Sequence, residues 1–266
     1  MRIGITGCAG RMGRMLLHAV LHSPGAELAG GIERADHPAL GSDLGILAGI
    51  EPVGLTAHDD PTALFAASDV VIDFSSPAAV LVHAPLAATQ RTSLVVGTTG
   101  LTNEHRVALT EAASATPVVV AANMSVGVNL LLGLTRRVAE VLGPEYDIEI
   151  VEMHHRHKVD APSGTALALG EAAAAGRGVA LDDAALRVRD GHTGPRPAGA
   201  IGFATLRGGD VVGEHTVIFA GEGERLELTH KATSRTVFAA GAVRAAQWCE
   251  GRASGLYTMR DVLGLG

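Results

Sequence analysis

The sequence is poor in aromatic residues: five Phe, two Tyr and one Trp among 266 residues, 3% in all. Its core must therefore be built from Val, Leu, Ile and Ala, and a hydrophobic content of 47% allows a sizeable one. Cysteine is equally scarce. Cys8 and Cys249 lie far apart and are too few for a disulfide framework, so the expectation is a reduced, cytoplasmic chain. No apolar run reaches the length of a membrane span, and the most apolar windows, such as 118–122, are strand-sized. The apolar run within residues 1–7 is too short for the core of an export signal, and glycine interrupts it. Positive charge is in deficit, with 21 Lys and Arg against 28 Asp and Glu and a net charge of -7. That balance tells against a nucleic-acid partner, although it leaves room for a local basic pocket. Neither an internal repeat nor a low-complexity tract is visible.

Glycine is abundant, with 34 residues, which signals turns and close backbone approaches. Short apolar segments at 2–6, 27–32, 70–74, 94–97 and 118–121 read as buried strands. Helical stretches near 15–21, 76–89 and 103–114 lie between them. Such alternation predicts a doubly wound parallel sheet. The pattern changes near residue 125. A helix over 126–142 leads to a strand over 147–153, and an Ala-rich helix covers about 164–176. Alternating segments follow at 200–206, 211–220 and 225–232, separated by turn-like compositions at 207–210 and 221–224. They predict an antiparallel meander. The stretch from 237 to 248 reads as helical.

The first strand is followed by Gly7-Cys8-Ala9-Gly10-Arg11-Met12-Gly13 and then by the first helix. A dinucleotide fold binds its pyrophosphate at this place, because glycines admit the phosphates and the helix N-terminus offers free N–H groups. Glu33 lies 20 residues beyond Gly13, at the end of the second strand, where a carboxylate can accept from ribose hydroxyls. The spacing is G-x-x-G-x-x-G, and by itself an ordinary strand–helix turn explains it equally well. Strand, turn, helix and acidic residue together favour the cofactor. Cys8 reads as a small filler, since nothing nearby forms a catalytic pair with it. Arg11 and Arg34 can grip the 2′-phosphate of NADPH, while Glu33 suits the free hydroxyls of NADH. Two solvated arginines are the bland alternative.

Residues 152–166, EMHHRHKVDAPSGTA, place three His, one Arg and one Lys within five positions. An exposed basic loop is one reading and a metal site is another. The interleaved Arg156 and Lys158 would repel a cation, and no cysteine accompanies them, so no metal is expected. A pocket for an anionic substrate with proton-transfer groups remains. In an extended chain His154 and Lys158 would stand about 13 Å apart, so a shared role requires a bend after the strand. Ser163 resembles a helix N-cap, and the N–H groups of Gly164 and Thr165 would open a helix able to hold a carboxylate. An ordinary cap without a ligand fits that motif as well.

These motifs together resemble one family. Residues 7–13, Gly97-Thr98-Thr99-Gly100, the run from His154 to Thr165, Gly199-Ala200-Ile201-Gly202-Phe203-Ala204 and Gly213-Glu214-His215-Thr216 are similar to 4-hydroxy-tetrahydrodipicolinate reductase, over the whole chain and in the family's order. The resemblance implies an α/β fold: a Rossmann-type, doubly wound parallel sheet with a second, α+β mixed-sheet domain for substrate and oligomerisation. It places the dinucleotide domain at 1–125 with 236–266 and the second domain at 126–235. It implies proton donor or acceptor roles for His154 and Lys158, with His155, Gly164 and Thr165 at substrate. Its cofactor positions carry over to Gly7, Cys8, Ala9, Gly10, Arg11, Met12, Glu33, Arg34, Gly97, Thr98, Thr99, Ala121, Ala122, Asn123 and Met124. The implied reaction is reduction of a cyclic imine dicarboxylate by NADH or NADPH in lysine and diaminopimelate biosynthesis, by a homotetramer. Two competing readings are a dehydrogenase for another small acid and a cofactor sensor without turnover. A semialdehyde dehydrogenase would require a catalytic cysteine, and the central region has none.

Overall fold

A computed structural model describes residues 1–265, which divide into two compact units: 1–126 with the C-terminal segment from 235, and 127–234.

In the first unit, β1 (Arg2–Thr6), β2 (Glu27–Ile32), β3 (Val70–Asp73), β4 (Ser93–Val96), β5 (Pro117–Val120) and β11 (Gly255–Tyr257) form one sheet in the order β11-β5-β4-β3-β1-β2. Every pairing in it is parallel. A parallel sheet is covered on both faces, so its strands read as unbroken Val and Ile runs. Alternate residues serve opposite layers. Ile72, Val95 and Val119 pack with α1 (Arg11–Leu21) and α9 (Thr236–Trp248). Val71, Leu94, Val96 and Val118 pack with α4 (Pro77–Gln90) and α5 (Asn103–Ala113). The short helices α2 (Leu44–Ala48), α3 (Pro61–Ala67) and α10 (Met259–Leu263) complete the unit. The chain passes from β2 on one side of β1 to β3 on the other. That reversal opens a crevice at the carboxyl ends of β1 and β3, where such folds bind ligands.

The second unit holds α6 (Val126–Leu142), which begins at its edge, then β6 (Asp147–His154), α7 (Gly164–Arg177), α8 (Leu181–Ala184), β7 (Ala185–Leu186), β8 (Ile201–Arg207), β9 (Gly213–Ala220) and β10 (Arg225–Ala232). Its sheet order is β10-β9-β6-β8-β7. The expected meander is therefore corrected: β8 and β9 do not pair. β6 lies between them, parallel to β8 and antiparallel to β9. Residues 208–211 form no hairpin but pass over the end of β6, where Gly208 N–H donates to the His154 carbonyl and His155 N–H to that of Val211. Along β6, Ile148, Ile150, Glu152 and His154 are buried. They share a face with Val217 and Phe219 of β9, against Leu169 and Ala173 of α7. The opposite face carries half-buried Val151, Met153 and Ile218, with Leu206 exposed. Among the described residues, no helix is long and apolar enough to cross a membrane.

Candidate active site

The turn after β1 is shaped by backbone. Gly7 has φ +62°, a conformation that costs glycine nothing. Gly13 brings α1 against this turn, since a Cβ there would stand 2.0 Å from the Gly7 carbonyl oxygen. α1 starts at Gly10 without a side-chain cap, and no carboxylate lies in its first turn. Its leading N–H groups thus suit an anion, which is the fit a pyrophosphate requires. Glu33 accepts from Ala9 N–H at 2.9 Å, which ties the turn to the end of β2. Arg34 pairs with Asp36 at 2.8 Å on the surface. Cys8 is fully buried, and burial pushes its thiol up to about 12, as it does that of Cys249.

A cavity of about 360 Å³ brings together Arg11, Met12, Gly97, Thr98, Thr99, Ala122, Asn123 and Met124. Ala121 lines a neighbouring cavity that shares Thr98 and Thr99. Sequence reasoning missed Phe74, Ser75, Arg235 and Phe238, which complete the first cavity. The last two come from the C-terminal segment, 110 or more residues after the strands they join, and no local spacing marks them. It also missed Asp73 behind the wall. This residue is fully buried and bonded to Ser75, Thr98 and His83.

In the second unit, β6 carries its buried face past the apolar core into a polar cluster. His154 ends the strand and is 8% exposed, so it belongs to the strand and not to the loop that leaves it. Its Nδ1 lies 2.5 Å from Glu152 Oε2. Glu152, 1% exposed, also accepts both guanidinium nitrogens of Arg207, at 2.8 and 2.9 Å, and Ser163 N–H at 3.0 Å. Burial pushes the Glu152 carboxyl up, but the Arg207 and His154 hydrogen bonds and that N–H outweigh it and hold it below the usual carboxylate range. Burial lowers His154 below the usual imidazole range; Glu152 opposes this, and the charges of Lys158 and Arg207 reinforce it. With Nδ1 held, Nε2 is the nitrogen left to exchange a proton. It faces Gly213, where an added Cβ would stand only 3.0 Å away.

The bend after the strand is present. Lys158 N–H returns to the His155 carbonyl at 3.1 Å, and the Lys158 ammonium pairs with Asp160 at 2.9 Å. Ser163 caps α7 through its hydroxyl, which accepts from Ala166 N–H at 3.2 Å. Gly164 and Thr165 open that helix next to Ser163, whose own N–H is anchored on Glu152. His155 is half-buried, with its ring 6.3 Å from that of His157. The structure adds His215, which lies 3.1 Å from the Ser163 hydroxyl and edge-on to His154 at 5.1 Å. Burial, with the charge of His154, lowers it to about 4.

A glycine turn at an uncapped helix, with a cavity at the carboxyl ends of parallel strands, defines a Rossmann-type dinucleotide-binding protein. Comparison with known proteins narrows the class. The family model described as "Dihydrodipicolinate reductase, N-terminus" matches residues 1–124, and "Dihydrodipicolinate reductase, C-terminus" matches 127–263. A 4-hydroxy-tetrahydrodipicolinate reductase of Methylocella silvestris is 59% identical over all of this chain and 98% of its own. One of Brucella abortus is 54% identical over all of this chain and 99% of its own. A dipicolinate-bound dihydrodipicolinate reductase from Paenisporosarcina sp. TG-14 superposes with a TM-score of 0.77 at 25% identity, covering 97% of both chains. The chain belongs to the dihydrodipicolinate reductase family. It is accordingly an oxidoreductase that uses NADH or NADPH.

Proposed function

We propose that this chain reduces 4-hydroxy-tetrahydrodipicolinate to tetrahydrodipicolinate, a step of lysine and diaminopimelate biosynthesis, in the cytoplasm. The observation that carries the reading is the Arg207–Glu152–His154 chain beside the N-terminus of α7. Residues 1–125 with 236–266 serve the dinucleotide, and 126–235 serve substrate and assembly. The bound nicotinamide supplies the hydride. Gly7, Cys8, Ala9, Gly10 and Met12 receive its pyrophosphate, and Arg11 serves the 2′-phosphate of NADPH. Glu33 and Arg34 meet the adenosine ribose. Gly97, Thr98, Thr99, Ala121, Ala122, Asn123 and Met124 line the nicotinamide end.

On the substrate side, the N–H groups of Gly164 and Thr165 hold one carboxylate at the head of α7. His155 and the surrounding positive charge suit the second. Loss of the substrate hydroxyl as water leaves a conjugated, electron-poor ring. Glu152 fixes the His154 ring through Nδ1 and favours its protonated form, so that Nε2 delivers the proton that completes reduction. Lys158, held by Asp160, is the second proton donor. The dipicolinate bound by the Paenisporosarcina protein is a planar ring with two carboxylates. We expect the same compound to compete with substrate here.

Cofactor oxidation with freshly generated substrate tests the reading. Turnover with both NADH and NADPH is expected, with competitive inhibition by dipicolinate. Folded protein that oxidises neither cofactor would overturn the assignment. We infer a homotetramer, for which the half-exposed face of the second sheet offers an apolar surface to bury. Sedimentation as a monomer at micromolar concentration would remove that inference.

A further inference from the structure

The sheet order fixes which end of a dinucleotide reaches the cavity of the first unit. Glu33 follows β2 at one edge, and the phosphate turn follows β1. The cavity lies over the ends of β3, β4 and β5, with Ser75, Thr98 and Ala122 in its wall. A dinucleotide laid from Glu33 across the phosphate turn therefore brings its nicotinamide to Ser75 and Thr98.

Behind that wall Asp73 accepts four hydrogen bonds. Ser75 N–H at 2.9 Å, the Ser75 hydroxyl at 2.6 Å and the Thr98 hydroxyl at 3.1 Å all reach Oδ1. His83 Nδ1 reaches Oδ2 at 2.6 Å. An ionised carboxylate accepts and never donates, so both hydroxyl hydrogens must point at it. The Thr98 hydroxyl also lies 3.3 Å from the Asp73 carbonyl oxygen, another pure acceptor, and this alternative leads to the same orientation. Each hydroxyl has a single hydrogen. Once that is given to Asp73, the two oxygens have only lone pairs to offer a ligand. His83 comes from α4, is itself buried, and packs its ring 5.7 Å from that of Phe65. By occupying Oδ2 it keeps Oδ1 for the two hydroxyls. Burial pushes the Asp73 carboxyl up, but the His83 and Ser75 bonds outweigh it and hold the group below the usual carboxylate range.

We propose that Asp73 is a positioning residue: it turns the Ser75 and Thr98 hydroxyls so that these two positions present only acceptors, and so selects the carboxamide N–H2 of nicotinamide over ring substituents that lack a donor. The proposal rests on assigning this cavity to the nicotinamide. Neither Asp73 nor His83 needs to touch the cofactor.

Calorimetric titration with three probes separates the possibilities. The probes are NADH, its 3-acetylpyridine analogue, which replaces the carboxamide by an acetyl group without N–H, and ADP-ribose, which has no ring. Wild-type protein should prefer NADH to the analogue by about ten-fold, the worth of a hydrogen bond. Asp73→Ala removes the carboxylate oxygen to which both hydroxyls donate and lets them reverse. Thr98→Val deletes one hydroxyl and leaves Asp73 in place, which keeps the test open where Asp73→Ala does not fold. Both variants should shrink the preference to about two-fold or less while ADP-ribose binds as before, and Thr98→Ser should restore it. An undiminished preference in Asp73→Ala and Thr98→Val overturns the proposal. So does a loss of ADP-ribose affinity in step with NADH, which marks a scaffold role. Equal wild-type affinity for NADH and the analogue overturns this proposal alone. Wild-type protein that binds none of the probes overturns the cofactor assignment as well.

Discussion

Each unit sets a buried carboxylate at or near the carboxyl end of a strand, and the two are used differently. Asp73 ends β3 and takes its hydrogen bonds from two hydroxyls, a backbone N–H and one imidazole. Glu152 stands two residues before the end of β6 and takes its bonds from a guanidinium fork, an imidazole and a backbone N–H. Hydroxyls can reverse, so Asp73 decides the direction of hydrogen bonds. A guanidinium cannot reverse, and an imidazole can gain a proton, so Glu152 decides where charge sits. Around the first carboxylate the cavity is walled by Ser75, Thr98 and backbone and closed by Phe74, Arg235 and Phe238. Around the second, the chemistry belongs to the side chains themselves.

Substitutions in the second unit should therefore act mainly on turnover, and those in the first on affinity and packing. The largest effect is expected for His154→Ala and Lys158→Ala. A lost general acid or base costs about 10²–10⁴-fold in rate, roughly 3–5 kcal/mol of barrier. The double variant should lose less than the product of the single losses if both serve one proton transfer. Steady-state kinetics measures this, with thermal melts as the folding control. Near-normal turnover in both single variants would erase the contrast between the units.

Glu152→Gln comes next, with an expected loss at the low end of the general acid–base range, about 10²-fold. Glu152 raises His154 against the effect of burial, so removing its charge lets His154 fall further. The protonated imidazole then survives only at more acid pH, and the pH profile of kcat/KM should move to lower pH. A slower enzyme with an unmoved profile would reduce Glu152 to a structural tie.

Gly13→Ala probes the backbone-built site. The added Cβ would meet the Gly7 oxygen at 2.0 Å and Cys8 Cα at 2.7 Å, so the turn must open. Overpacking of this kind costs about 1–3 kcal/mol. Melting temperature and cofactor affinity should fall together. A normal melt with normal cofactor affinity would show that the turn relaxes freely.

The smallest effect is expected for His215, which is 4% exposed. Its folded value of about 4 lies below the unfolded imidazole range, so the unfolded chain takes up a proton that the folded chain refuses. The stability it contributes is present above about pH 7 and falls as pH drops towards 4, by about 1 kcal/mol at pH 5.5. His215→Asn should flatten that part of the pH dependence in chemical unfolding. An unchanged slope would assign the acid sensitivity to other groups.

The parallel sheet was legible because strands covered on both faces leave continuous Val and Ile runs, as at Val70–Ile72 and Val118–Val120. The strands of the second unit were legible too, but not their neighbours. A period of two says which residues share a face and nothing about which strand lies alongside. Glu152 stood within the most informative run, yet its role depends on Arg207, 55 residues later, and on Ser163. Asp73 had a signal that could have exposed it: an acidic residue closing an apolar run that is buried throughout. Its partner His83 faces it from the next helix, where an Ala-rich sequence hides a single buried imidazole.

The first unit is interrupted, and this has a consequence for the order in which the protein is made. Ile3, Leu16 and Val20 share one core with Ala239, Ala242 and Val243 of α9. On a ribosome, the strand that founds this sheet is synthesised first, yet the helix that seals one of its layers emerges only after the whole of residues 127–234. The second unit lies continuous in the chain and can close its own sheet while that layer still waits for α9. Synthesis therefore leaves the nascent cofactor unit with an unsealed apolar layer for as long as the intervening segment takes to be made, and the stretch of chain most exposed to chaperones is the one translated earliest.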